Sequence, residues 1–66
     1  MRFVLFDEKG NVKVFKSDVK LEEYLKKHEG IFYLVGVSGK WVNITKIKSE
    51  NGDFINTAEK HVEFLD

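Results

Sequence analysis

The sequence predicts a small α+β protein in which one helix packs on an antiparallel sheet of four to five strands. Three observations lead to this prediction. Short runs of β-branched and aromatic residues alternate with turn residues along most of the chain. The stretch 19–29 instead has the apolar spacing of a helix. The 66 residues suffice for a single domain, residues 1–66, with the element order ββαββ and a further short helix at the C-terminus.

The first two elements are predicted to form a hairpin. Residues 3–6 and 12–15 are apolar runs, and residues 7–11 lie between them. Gly10 can adopt the positive φ that a three-residue bulged loop requires. The predicted cross-strand pairs are Phe6–Val12, Leu5–Lys13, Val4–Val14 and Phe3–Phe15. Both faces of this hairpin therefore carry large apolar groups.

A helix is predicted over residues 19–29. One face carries four residues at the spacing i, i+3, i+4 and i+7, namely Leu21, Tyr24, Leu25 and His28. Ser17 and Asp18 are both competent N-caps. Gly30 follows the last turn and suits the left-handed position that ends many helices.

A second hairpin is predicted around a Ser38-Gly39 turn, from strands 31–37 and 40–47. One predicted face pairs Val37 with Lys40, Val35 with Val42, and Tyr33 with Ile44. We expect the helix on this face. The other face pairs Gly36 with Trp41, Leu34 with Asn43, and Phe32 with Thr45, so that the Trp41 ring would cover the bare backbone of the glycine.

Two interpretations are possible for the secondary structure of residues 56–66. Asn56 can cap a helix with Glu59 in a capping box, and the apolar residues would then share one face, namely Ala58, His61, Val62 and Leu65. The alternative is a strand at 61–65, because Val62 and Phe64 alternate. The helix is favoured. Through Val62, Phe64 and Leu65 this segment would also cover the second apolar face of the sheet.

Composition excludes several function classes. Eleven basic residues balance eleven acidic ones, so no net charge favours nucleic acid or an anionic membrane. The apolar run at 3–6 is too short for a signal peptide or a membrane span, and a cytoplasmic protein is expected. No disulfide or thiolate metal site is possible without cysteine. His61 and Glu63 offer fewer ligands than a metal site needs.

No catalytic, cofactor-binding or metal-binding residue is predicted, because no nucleophile–base set is visible. The two-sided apolar sheet instead predicts a non-catalytic protein-interaction or regulatory module, such as an inhibitor or accessory protein. Its partner would be another protein or a second copy of the chain. The predicted binding residues are Trp41, Phe32, Leu34, Lys40, Asn43 and Lys46. The alternative is single-stranded nucleic-acid binding through Lys40, Trp41 and Lys46, since residues 31–48 carry three lysines and no acid.

Overall fold

Five strands form one antiparallel sheet, and one helix packs on it, in a computed structural model that describes residues 2–63 and residue 65. The elements in chain order are β1 (Phe3–Asp7), β2 (Val12–Phe15), α1 (Asp18–Lys27), β3 (Gly30–Ser38), β4 (Trp41–Glu50) and β5 (Asp53–Glu63). The order across the sheet is β2-β1-β3-β4-β5. This confirms the α+β class and the antiparallel sheet.

The first hairpin has the predicted register. Its pairs are Phe3–Phe15, Val4–Val14, Leu5–Lys13 and Phe6–Val12. In the loop, the backbone N–H of Gly10 donates to the carbonyl of Asp7 at 3.1 Å, and Gly10 has a φ of 86°. The Asp7 carboxylate also accepts the N–H groups of Lys9 and Asn11, each at 2.9 Å. The acidic residue therefore serves the turn, since it satisfies two loop donors.

Helix α1 begins after the predicted N-cap residue Ser17, but its C-terminal end differs from the prediction. The Ser17 hydroxyl accepts the backbone N–H of Lys20, as an N-cap does. The helix ends at Lys27, and its C-cap residue is His28, which has the extended φ of −128°. Gly30 has a positive φ of 138° but begins β3, so it is not the residue that directly follows the C-cap. His28 Nδ1–H donates to the Tyr24 carbonyl at 2.8 Å. This side chain satisfies one of the last helical carbonyls.

The register of β3 and β4 differs from the prediction by two residues. The turn is Gly39-Lys40, and Ser38 pairs with Trp41. Gly39 has a φ of 60°, which suits the first central position of a tight hairpin turn. A shift of two keeps every side chain on its predicted face. However, Gly36 now lies opposite Asn43, and nothing lies within 4 Å of the position that a Gly36 Cβ would occupy, so the Trp41 ring does not cover it.

The helix packs on the face opposite to the one predicted. Its two buried leucines meet three buried sheet residues, and the core consists of Leu5, Leu21, Leu25, Phe32 and Ile47. The predicted core face, which includes Val35 and Ile44, has no helix over it. A structural reason lies at Ser49, which is small and buried, and whose hydroxyl donates to the Leu25 carbonyl. Leu and Phe fill the space under the helix, and Ser49 lets the backbone of α1 approach.

The predicted C-terminal helix is wrong for residues 56–63, which are strand. β5 pairs with β4 from Trp41–Glu63 to Glu50–Asp53, and Asn56 pairs with Ile47 rather than capping a helix. A bulge interrupts the ladder between Lys46 and Ile47. Pairing satisfies the backbone of a long strand, which outweighs one capping box. Phe64 and Asp66 lie outside the described residues. The segment up to Glu63 widens the sheet and does not cover its second face.

Candidate interaction surface

The six predicted binding residues lie in four different places. Phe32 is buried beneath α1. Lys46 lies on the opposite face of the sheet, next to Tyr33. Lys40 is in the β3–β4 turn, and its Nζ lies 3.1 Å from a Glu63 carboxylate oxygen. The other three, Leu34, Trp41 and Asn43, lie on the helix side of the sheet. The predicted set is therefore not one surface.

A shallow cleft lies on the helix side, on the part of the sheet that α1 leaves uncovered. Its volume is about 190 Å³, and its lining includes Arg2, Phe3, Leu34, Gly36, Ser38 and Asn43. Trp41 and His61 border a neighbouring depression, and His61 Nδ1 hydrogen-bonds to Asn43 Oδ1. Pockets that bind small molecules usually enclose about 300–1,000 Å³. The cleft is smaller than this, whereas the neighbouring depression has a volume of about 380 Å³. The polar groups that line the cleft are the Arg2 guanidinium, hydroxyls and an amide.

The opposite side of the sheet is more extensive, and we call it the open face. Three rows of side chains cross the strands there. The first row is Val37, Val42 and Val62. The second row is Val14, Val4, Val35, Ile44 and Lys60. The third row is Val12, Phe6, Tyr33, Lys46 and Ala58. Apolar residues therefore dominate a surface that spans all five strands.

The exposure of these valines shows that the open face is bare in the described part of the chain. Val14 is 59% exposed and Val37 is 62% exposed. Even the central residues Val35 and Ile44 are only half-buried, although they have strands on both sides. An antiparallel sheet can present one face to water, but that face is then normally polar. Large exposed apolar patches are uncommon on monomeric soluble proteins.

Charge on the open face is confined to one half. Lys46 and Lys60 lie on β4 and β5, in the second and third rows, and Lys48 follows on β4 beside Ile31 and Ile55. The β1–β2 half of these rows carries no charged side chain. Lys48 Nζ lies 3.8 Å from a carboxylate oxygen of Glu50, and within residues 2–63 and residue 65 no ion pair involves Lys46 or Lys60. The open face is thus apolar on one side and lysine-bearing on the other.

Sequence reasoning found the two apolar faces but placed the helix on the wrong one. A signal that separates them exists in the side-chain types. The covered face has Leu5, Phe32 and Ile47, whereas the open face mixes valine with lysine. Long lysine side chains reach water with their ammonium groups, and on the covered face the lysine Lys13 lies on the edge strand, with its Nζ 6.0 Å from the centre of the Tyr24 ring. The signal is therefore lysine on the inner strand β4, at Lys46 and Lys48, rather than lysine anywhere on the face.

No protein-family model, curated protein or solved structure matches this chain. Within residues 2–63 and residue 65, no group of three His, Cys, Asp or Glu side chains is placed to hold a metal ion. The helix found in the described residues is too short and too polar to cross a membrane. The surfaces of the described residues are therefore the only basis for inferring a function.

Proposed function

We propose that this protein is a non-catalytic protein-interaction module and that the open face is its binding surface. The observation that carries the proposal is the bare aliphatic surface across all five strands, with Val14 and Val37 more than half exposed. Burial of such a surface against a partner is favourable by roughly 25 cal/mol per Å² of apolar area removed from water. A domain that acts through a binding surface rather than through catalysis suits a regulatory or accessory role.

Aliphatic composition favours a protein as the partner. The rows contain mostly valine, and only Phe6 and Tyr33 are aromatic. The buried centre of protein–protein interfaces is more apolar than the rest of the surface and poor in charge. The aliphatic half of the open face fits this description, and the lysines Lys46 and Lys60 fit a polar rim. We further propose a cytoplasmic location, which the lack of cysteine supports.

The proposal can be tested by photo-crosslinking in living cells of the source. A photoreactive amino acid replaces Val37 on the open face in one variant and Val19 on the outer side of α1 in a matched variant. The two valines are almost equally exposed, at 62% and 58%. We expect covalent protein adducts of defined mass from the Val37 position and none from the Val19 position. Equal labelling at both positions, or none at Val37, would contradict the proposal.

A second candidate function, single-stranded nucleic-acid binding, is supported by one row of the open face. Phe6 and Tyr33 are neighbours on adjacent central strands, and Lys46 lies next to Tyr33. Aromatic side chains on a sheet can stack with unpaired bases while lysines contact phosphates. In this form the hypothesis depends on Phe6, Tyr33 and Lys46 of the open face and no longer on Trp41 and Lys40.

This candidate predicts that labelled single-stranded oligonucleotides bind with an affinity that falls steeply as salt rises. The double substitution Lys46→Ala/Lys48→Ala should then weaken binding several-fold. The control is Lys26→Ala/Lys27→Ala, which removes the same charge from the last turn of α1. Equal loss in both variants would indicate nonspecific attraction, and absence of binding at low salt would remove the candidate.

A further inference from the structure

We infer that the occupant of the open face is a second copy of this chain, bound face to face as a homodimer. This inference rests on the proposed function, because it identifies the partner of the same surface. Two sheets that pack face to face lie about 10 Å apart, with their inward side chains between them. Each copy would then have two covered faces, with α1 on one and the partner sheet on the other.

The small size of the hydrophobic core supports a homodimer. Among the described residues, the buried hydrophobic core consists of Leu5, Leu21, Leu25, Phe32 and Ile47. A domain of this length buries only about 60% of the surface that its unfolded chain exposes. Oligomerisation is one of the few ways in which a small domain without disulfides gains further burial. A copy of the chain is a permanent partner, whereas a transient partner would stabilise the fold only when bound.

The area of the open face also supports a homodimer. Five strands at about 4.8 Å spacing and six residue steps of about 3.3 Å, from Ile31 to Val37, give a projected face of about 480 Å². The projecting side chains make the solvent-accessible area larger than this projection. A standard stable interface buries about 800 Å² on each partner. The open face is therefore of the order that a stable dimer needs.

The position of the lysines on one half of the open face favours one arrangement of the dimer. A twofold axis parallel to the strands and running along β3 places the β1–β2 half of one copy over the β4–β5 half of the other. Lys46 then lies over Phe6 and Lys60 over Val14 of the other copy, and their ammonium groups reach solvent at the rim. An in-plane axis across the strands would instead bring all the lysines of both copies to the same side. Charge therefore selects the axis along β3.

Sedimentation equilibrium and thermal unfolding at several protein concentrations provide the first test. We expect twice the mass of the chain, and a Tm that rises with concentration because only the folded state dimerises. Val37→Glu places two carboxylates opposite each other at the axis and should give a monomer whose Tm is independent of concentration. Val19→Glu, at an equally exposed valine on α1, should remain dimeric.

Single cysteines provide the second test, which does not depend on charge insertion. The chain has no cysteine, so each variant carries one thiol. With the axis along β3, the two copies of Val35→Cys face each other. The two copies of Val14→Cys are four strand spacings apart, about 19 Å. A short bifunctional thiol reagent should therefore join the Val35→Cys protein into a dimer and leave the Val14→Cys protein monomeric.

The outcomes separate the failure of this inference from the failure of the proposed function. A monomeric wild-type protein with a concentration-independent Tm overturns the homodimer, while a foreign adduct at the Val37 photo-crosslinking position would still support a protein-binding surface. A dimer that Val37→Glu leaves intact overturns the assignment to the open face. Efficient crosslinking at Val14→Cys but not at Val35→Cys overturns the arrangement along β3.

Discussion

Both faces of the sheet are rich in apolar residues, but one is buried under the helix and the other is exposed to water. On the helix side, Leu25 of α1 is only 1% exposed and packs with Phe32 and Ile47. On the open face, Val14 and Val37 keep more than half of their surface in contact with water. Alternating apolar residues therefore show that a strand has an apolar face, but they do not show what covers it.

The difference between the faces comes from side-chain size and from neighbouring polar groups. Leucine and phenylalanine reach from the sheet into the helix, and the Ser49 hydroxyl meets the Leu25 carbonyl at the closest approach. Valines on the open face are shorter and lie beside Lys46 and Lys60.

Truncation in the core should have the largest effect. Leu25→Ala removes buried contacts and leaves a cavity, so we expect the free energy of unfolding to fall by about 2–5 kcal/mol at every protein concentration. Val37→Ala on the open face should cost less than about 1 kcal/mol, and only at concentrations at which the dimer forms. Chemical denaturation at two concentrations measures both. Equal losses in the two variants would show that the faces are equally covered.

The contact between helix and sheet at Ser49 should have the next largest effect. Ser49→Ala leaves the buried carbonyl of Leu25 without its donor, and we expect a loss of about 1–2 kcal/mol in the free energy of unfolding. Thr57→Val is the control, because the Thr57 hydroxyl donates to the Lys46 carbonyl at an exposed site. Denaturant titration should show almost no loss for the control. A similar loss in both would mean that burial of the bond does not matter.

Loss of the N-cap should cost somewhat less. Ser17→Ala removes the acceptor for the Lys20 N–H and should lower the free energy of unfolding by about 1 kcal/mol. Ser17→Asp keeps a capping oxygen and should restore most of the loss. Thermal unfolding followed by circular dichroism measures both variants. If Ser17→Asp is as destabilised as Ser17→Ala, the hydroxyl contributes nothing through capping.

The smallest effect is expected at the β1–β2 turn. The side-chain amide and the backbone N–H of Asn11 hydrogen-bond to the Asp7 carboxylate and hold the pKa of this carboxyl below its ordinary value. Because the folded pKa is lowered, the stabilisation is present above the unfolded pKa of Asp7, about 3.9, and is lost as the pH falls through the folded pKa.

Nuclear magnetic resonance titration of the Asp7 carboxyl carbon measures this pKa directly. Asn11→Ala should raise the pKa towards its ordinary value, since the largest contribution comes from the Asn11 side chain. The stability difference should be small because the turn is exposed to solvent. An unchanged pKa in Asn11→Ala would assign the shift to the backbone donors instead.

Local signals predicted the elements that local interactions determine. The alternation and the Gly10 turn gave the correct register of the first hairpin, and the spacing of Leu21 and Leu25 gave the helix with its Ser17 cap. These features depend on residues that are close in sequence. Turn chemistry, capping and helical periodicity act over a few residues, so a single sequence is enough to predict them.

The open face and β5 depend on contacts that are distant in sequence. Asn56 and Glu59 have the local pattern of a helix start, but the free edge of β4 offers backbone partners as far as Glu63. The choice of covered face depends on the fit of α1 against Ser49, which is 24 residues from Leu25. Neither contact leaves a periodic signal in the sequence, and the predicted binding residues were scattered as a consequence.

The pairing of β1 with β3 has a consequence for the order of folding. β1–β2 and β3–β4–β5 are hairpins between chain neighbours, whereas Val4 of β1 pairs with Val35 across the helix. Pairs that are distant in sequence require loop closure before they add stability, so they form late. We expect the β1–β3 seam to limit the folding rate. Substitutions at Val4 or Val35 should slow folding more than equally destabilising substitutions at positions away from this seam, such as Val12 on β2 or Val62 on β5.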